Sequence, residues 1–78
     1  MALSLNNLGG LYKDQGKFPH AEPLFKRALA ISEKTLGPDH PNVATSLENL
    51  AQLYRDIGHE NKAKPMEKRA AAIRALTR

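Results

Sequence analysis

Apolar and small residues recur along the chain at three- and four-residue intervals, the spacing of one face of an α-helix. In the first segment they are Leu5, Leu8, Gly9 and Tyr12. In the second they are Ala21, Leu24, Phe25, Ala28 and Ile31. No segment alternates apolar and polar residues for long, so the pattern predicts helices and no strands.

Glycine and proline indicate where the predicted helices begin and end. Gly16 ends the first helix, because glycine adopts the left-handed backbone that closes helices at little cost. The second helix begins near Pro19 and ends at the Gly-Pro pair of the joint formed by residues 37–41. Within that joint, either Asp39 or His40 can cap a third helix that has proline at its first position.

The sequence repeats itself after 42 residues. When residues 2–36 are aligned with residues 44–78, 17 of the 35 pairs are identical. The second copy therefore predicts two further helices, near residues 41–57 and 61–77. We expect one all-α domain over residues 1–78 that consists of two antiparallel helix hairpins, with repeat 1 at residues 1–37 and repeat 2 at residues 41–78.

The composition excludes several kinds of chemistry. The 78 residues include no cysteine, which excludes disulfides, thiolate zinc sites and a cysteine nucleophile. There is no apolar run of about 18 residues and no signal-peptide pattern, so we expect a cytoplasmic protein without a membrane segment. The sequence has no paired histidines on a helix, no serine triad and no phosphate loop; we expect no enzyme, no metal and no cofactor.

The net charge of +4 is concentrated in the last predicted helix. Such a basic helix is one signature of a nucleic-acid or acidic-membrane surface. However, no aromatic residue lies among these cations to stack on bases, and cations near a helix C-terminus favour the helix dipole. A solvated helix face is therefore the preferred interpretation, and nucleic acid is not an expected partner.

The repeated positions resemble the tetratricopeptide repeat. The first-helix pattern of that family matches Leu5, Leu8, Gly9 and Tyr12, then Leu47, Leu50, Ala51 and Tyr54. Its second-helix pattern matches Ala21, Phe25 and Ala28. The 42-residue period, with segments such as SLNNLGGLY and EKTLGPDHPNVA, is similar to the kinesin-light-chain-like subclass. The resemblance implies an α-α superhelix that acts as a non-catalytic protein-interaction scaffold.

The resemblance also implies that the first helix of each hairpin lines a concave groove for an extended peptide, with an acidic peptide as one candidate. Side-chain amides offer a donor and an acceptor to a peptide backbone, and cations suit a carboxylate. The candidate binding residues are Asn6, Asn7, Lys13, Asn49, Gln52 and Arg55. The alternative is that these side chains are only solvated, or that Asn7 and Asn49 bond to neighbouring backbone.

The two ends of the repeat differ. In the second copy, Phe18, Phe25 and Leu29 are replaced by Glu60, Glu67 and Ala71. A polar outer helix is what a terminal repeat needs for solubility, so the last helix is interpreted as a C-terminal cap, with a degenerate repeat as the alternative. At the other end, leucines begin at once. The alternative function is therefore that of a fragment or engineered repeat unit that assembles into homo-oligomers through Leu3, Leu8 and Leu11.

Overall fold

The computed structural model describes the backbone of residues 2–76 and the side chains of residues 4–76, which leaves the Leu3 side chain outside the described part. Helix α1 spans Ala2–Asp14, α2 spans Phe18–Leu36, α3 spans Pro41–Asp56 and α4 spans Glu60–Leu76. Over residues 2–76 there is no strand. The prediction of an all-α fold is confirmed.

Both hairpins close through the same glycine turn. Gly16 and Gly58 have φ angles of 75° and 82°. In the first turn, the Lys17 N–H donates to the Tyr12 carbonyl at 2.8 Å and the Gly16 N–H donates to the Lys13 carbonyl at 2.9 Å. These two bonds form the Schellman motif that satisfies the last carbonyls of a helix. The second turn repeats both bonds one period later.

A histidine in the joint between the hairpins caps the N-terminus of α3. The Nδ1 atom of His40 accepts a hydrogen bond from the Asn42 N–H at 3.1 Å, and Pro41 occupies the first helical position of α3. Of the two predicted caps, the structure therefore selects His40 rather than Asp39. Because the joint is short, α2 and α3 run in opposite directions.

The four helices form a stack with a distinct inner side. Helix α1 packs on α2, α2 on α3 and α3 on α4. The backbones of α1 and α3 also approach each other, whereas those of α2 and α4 lie farther apart and these two helices meet through long side chains, such as the Arg69–Glu33 pair at 2.8 Å. The side formed by α1 and α3, which we call the inner face, is therefore the shorter side of the stack.

The core surrounds α3, with one cluster mainly between α2 and α3 and another between α3 and α4, and it depends on matched side-chain sizes. Phe25 is 2% exposed and packs in one cluster with Leu50, Leu53 and Tyr54. A Cβ atom placed on Gly9 would lie only 2.8 Å from Cε1 of Phe25, so the ring occupies the space that a side chain at residue 9 would need. This contact joins α1 to α2.

One expectation about the core is wrong for the single chain. The helical pattern puts Leu8 on the packed face of α1, but its side chain is 41% exposed. Leu50, at the equivalent position of α3, is fully buried. The difference arises because α2 covers this side of α3, whereas no helix among residues 2–76 covers the equivalent side of α1.

Candidate functional site

The inner face carries all six polar residues that the sequence singles out. Asn6, Asn7 and Lys13 lie on α1, and Asn49, Gln52 and Arg55 lie on α3. The structure brings these two helices into contact, but it does not turn all six side chains in the same direction. Their side chains differ in what they already bind, and that decides which groups are available to a ligand.

Asp56 links the two helices at one end of the inner face. Its carboxylate lies 3.7 Å from the Lys13 ammonium and accepts a hydrogen bond from the Gln52 amide at 2.9 Å. Lys13 comes from α1, whereas Gln52 and Asp56 come from α3. The positive charge of Lys13 is therefore partly neutralised within the protein.

Asn6 is turned into the contact between α1 and α3. Its amide nitrogen donates to the Ser46 hydroxyl at 3.3 Å, and Ser46 is fully buried. The Asn6 Oδ1 atom is also buried and has no hydrogen-bond partner among the described residues. The side chain of Asn6 thus connects the two hairpins and does not point outward from the inner face.

Asn7 and Asn49 occupy the same position in the two repeats. The Asn7 side chain is exposed and that of Asn49 is half-buried. Within residues 4–76, neither side-chain amide makes a hydrogen bond with the protein. Each amide therefore keeps one acceptor and two donor hydrogens for an external partner.

Arg55 reaches across to α4. Its guanidinium makes a bidentate pair with Glu67, in which Nε lies 2.7 Å from Oε2. A second bidentate pair joins Arg74 of α4 to Glu48 of α3, with both contacts at 2.7 Å. We call these two pairs the α3–α4 clasp.

The clasp changes the acidity of its carboxylates. Hydrogen bonding to Arg55 lowers the pKa of Glu67, and hydrogen bonding to Arg74 lowers the pKa of Glu48. Glu48, which by itself would repel an acidic ligand, is thus neutralised by Arg74. Arg55 is likewise engaged, because its charge faces Glu67.

A second cluster of polar contacts joins α2, α3 and α4 through Glu22, Tyr54 and Lys62. Burial, together with a hydrogen bond to the Glu22 carboxylate, raises the pKa of the Tyr54 phenol to about 12. The same hydrogen bond lowers the pKa of Glu22. The Lys62 ammonium lies 5.5 Å from the centre of the Tyr54 ring, within the range of a cation–π contact. These contacts tie α4 to the hairpin before it.

The described residues contain no cluster of three or more histidine and carboxylate side chains that could hold a metal ion. Among the helices that the structure describes, none is long and apolar enough to cross a membrane. The groups on the inner face are amides, one lysine and paired charges, which suit hydrogen bonding to another molecule.

Three functionally relevant residues were missed by the sequence reasoning. Asp56, which binds Lys13 and Gln52, is not among the predicted residues; Arg74, which binds Glu48, is predicted only as one cation of the basic last helix, and Glu67 only as a lost apolar residue. A signal existed for Glu67, because it replaces the core residue Phe25 of the first repeat. The clasp could not be derived from it, since Arg55 and Glu67 meet only when α3 packs on α4.

The comparison with protein families agrees with this architecture. A family model described as tetratricopeptide repeat matches residues 1–75. The match includes both hairpins and the inner face.

Proposed function

The chain belongs to the tetratricopeptide repeat family, a class of non-catalytic protein-interaction scaffolds, and from this premise we propose that its inner face binds an extended segment of a protein partner. The two equivalent amides of Asn7 and Asn49 are the observation that carries the proposal. They are the inner-face groups whose hydrogen-bonding capacity is unused within residues 4–76.

The spacing of these amides fits a peptide backbone. Packed helices lie about 8–10 Å apart, and an extended chain advances about 3.3 Å per residue. Amides on α1 and α3 are therefore suited to backbone groups roughly three residues apart on a bound peptide. Each amide can donate to a carbonyl and accept from an N–H of the peptide.

Charge has a secondary role in this proposal. An acidic residue of the peptide would compete with Asp56 for Lys13, which is only 3.7 Å from that carboxylate. Arg55 would have to leave Glu67 before it could bind a ligand. Main-chain recognition by the amides supplies the affinity, and Lys13 adds a preference for a carboxylate.

A selection experiment tests the peptide proposal. A display library of random peptides is selected on the folded chain, and the enriched peptides are measured by calorimetry against the Asn7→Ala/Asn49→Ala double variant. With a net loss of about 1 kcal/mol for each amide removed, the double variant should bind about 30-fold more weakly. Asn61→Ala removes an exposed amide from α4 and serves as the matched control. Equal binding to the double variant, or no enriched peptide, contradicts the proposal.

The finer membership and the cellular location belong to the same proposal. We assign the chain to the kinesin-light-chain-like subclass, supported by the 42-residue period and the EKTLGPDHPNVA joint. We place the protein in the cytoplasm, supported by a sequence that contains no cysteine. Imaging of a fluorescent fusion of the full-length protein tests the location.

The C-terminal cap is the third part of the proposal. Helix α4 carries Glu60, Glu67 and Ala71 where α2 carries apolar residues, and Glu67 is held by Arg55 in the clasp. A matched restoration tests it: Glu60→Phe, Glu67→Phe and Ala71→Leu together give α4 the apolar residues of α2. The restored variant should associate head-to-tail into large assemblies that light scattering detects. A variant that stays the size of the original chain contradicts a capping role.

Self-association is a second candidate function, and one observation favours it. Leu8 and Leu11 are 41% and 54% exposed, whereas Leu50 and Leu53, at the same positions of the second repeat, are fully buried. An exposed apolar face on a small helical protein is a frequent site of protein contact.

A further inference from the structure

One side of α1 is exposed to solvent, whereas the equivalent side of α3, one repeat later, is buried. Ser4, Leu8 and Leu11 are exposed on α1 and lie at helical spacing with Gln15, and we call these four residues the open face. The residues one period later on α3 are Ser46, Leu50 and Leu53, identical in type and fully buried. The same three side chains are therefore solvent-exposed in one copy and part of the core in the other.

The covered copy shows what kind of surface fits the open face. On α3, Leu50 and Leu53 belong to one cluster with Ala21 and Phe25 of α2. Helix α2 runs antiparallel to α3, because a joint of four residues connects them. The open face is therefore shaped for an antiparallel helix that presents uncharged side chains.

Helix α4 of another copy does not offer such a surface. Its residues equivalent to Phe25 and Leu29 are Glu67 and Ala71. Glu67 is also bound to Arg55 in a bidentate pair that a docking helix would have to displace. Head-to-tail stacking of two copies would thus bury a carboxylate against leucine, which is costly.

The open face of a second copy does offer an uncharged helix surface. We propose that two copies of this chain pair through their open faces in a closed two-fold dimer with antiparallel α1 helices, an arrangement that rests on the proposed self-association. With the two-fold axis between Leu8 and Leu11, Leu8 of each copy packs against Leu11 of the other. Ser4 then faces the Gln15 of the second copy, so the contact contains no charged pair.

The distribution of charge favours the same arrangement. Lys13 and Asp14 give α1 a net charge of zero, whereas the five cations and two carboxylates of α4 give it +3. Pairing through α1 places the two cationic α4 helices at opposite ends of the dimer, where their repulsion is weakest. The antiparallel direction also puts Asp14 of one copy beside the helix N-terminus of the other, where a carboxylate is stabilised.

Association stops at two in this geometry. A two-fold contact uses the same surface on both copies, so no second open face remains for a third chain. The clasp keeps the α4 ends polar, and growth from those ends would bury Glu67. The assembly is therefore a dimer and not a filament.

Sedimentation of the purified chain up to millimolar concentration tests the contact. The expected mass rises to twice 8.6 kDa. Leu8→Glu/Leu11→Glu should return it to the mass of a single chain with an unchanged helical circular-dichroism spectrum, because both leucines are exposed in the folded chain. The control Leu36→Glu/Leu76→Glu, which changes two exposed leucines elsewhere, should still form the dimer. A single-chain mass for the unsubstituted protein at every concentration overturns self-association itself.

Cross-linking tests the direction, since the chain has no cysteine of its own. A mixture of Ser4→Cys and Gln15→Cys chains should be joined in high yield by a short bis-maleimide. Either variant alone should give little product, because residues 4 and 15 lie about 16 Å apart along α1. Efficient cross-linking of Ser4→Cys with itself indicates parallel helices and overturns the geometry while leaving the dimer intact. Masses above that of a dimer overturn the closed arrangement.

Discussion

Gly9 and Gly10 are neighbours in α1 with opposite surroundings, and they allow the packing between α1 and α2 to be measured. A Cβ on Gly9 would lie 2.8, 3.0 and 3.1 Å from three carbons of the Phe25 ring, whereas a Cβ on Gly10 would meet nothing within 4 Å. The ring is 2% exposed, so it has no free space into which it can turn. Glycine-to-alanine substitution should therefore stabilise the chain at residue 10 but not at residue 9.

The magnitudes follow from two contributions. Alanine in place of glycine within a helix stabilises by about 1 kcal/mol, and this gain applies to both positions. The added methyl group at residue 9 also overpacks the core, which costs about 1–3 kcal/mol. Gly10→Ala should thus raise the free energy of unfolding by about 1 kcal/mol, and Gly9→Ala should fall below it by about 1–3 kcal/mol. The difference between the two variants isolates the clash.

Thermal and urea unfolding followed by circular dichroism measure this difference. For a domain of this size, 1 kcal/mol corresponds to about 4–8 °C in Tm, so Gly9→Ala should melt at least about 4 °C below Gly10→Ala. Adding Phe25→Leu to Gly9→Ala should cost less than Phe25→Leu does alone, because the smaller side chain relieves the clash. Equal stability of the two alanine variants would refute the reasoning.

Three further predictions concern single polar groups and are checked by the same unfolding measurements. The Ser32 hydroxyl is buried without a partner among the described residues, so Ser32→Ala should raise the free energy of unfolding by about 1 kcal/mol. The control Ser46→Ala should lower it by about as much, because Asn6 loses its acceptor. Loss of stability in both variants would contradict this prediction. His40→Ala removes the side-chain cap of α3 and should cost about 1 kcal/mol, whereas His40→Ser should retain it. Because the pKa of Tyr54 is raised to about 12 in the folded state from about 10 in an unfolded chain, its contribution is complete below pH 10 and is lost between about pH 10 and pH 12. The stability difference between the original chain and Tyr54→Phe should therefore shrink over that range, and a constant difference would count against it.

The positions of the helices were predictable because the signals for them are local. The prediction placed α3 near residues 41–57 and α4 near 61–77, and the structure has Pro41–Asp56 and Glu60–Leu76. Glycine at residues 16 and 58 favours the positive φ that ends a helix, whatever else the chain does. The 42-residue repeat predicts the same helix boundaries a second time, from the other copy of the unit.

The burial of individual leucines could not be predicted in the same way. Leu8 and Leu50 are the same residue at the same repeat position, yet their exposures are 41% and 0%. Six of the nine residues of SLNNLGGLY are identical in SLENLAQLY, and both segments have the same helical spacing, so no local pattern distinguishes the two leucines. The difference comes from the position of each hairpin in the stack, since within residues 2–76 α2 covers this side of α3 and no described helix covers the equivalent side of α1.

The candidate site shows the same division between local and long-range information. Asn7 and Asn49 could be placed on one surface because a helix fixes the direction of short side chains. The direction of the Arg55 side chain could not be predicted, because this long side chain pairs with Glu67 on α4 and does not extend from the inner face. The six candidate residues thus separate into the free amides of Asn7 and Asn49, a half-buried connector at Asn6, and the side chains of Gln52, Lys13 and Arg55, which already bind carboxylates.

The clasp keeps the surface of α4 polar with little effect on the free energy of unfolding. Exposed ion pairs contribute little to stability, so the two arginine–glutamate pairs cannot replace the packing that Phe25 provides in the first hairpin. In the proposed cap they act on association, because every carboxylate of the clasp has a partner on the same chain, and an approaching apolar helix would have to separate that pair and bury its charges. The open face presents no such barrier, because Leu8 and Leu11 are already uncharged and exposed. The two ends of a nearly symmetric duplication therefore differ in which contacts they permit, and this asymmetry follows from the replacement of Phe25 by Glu67 at equivalent positions.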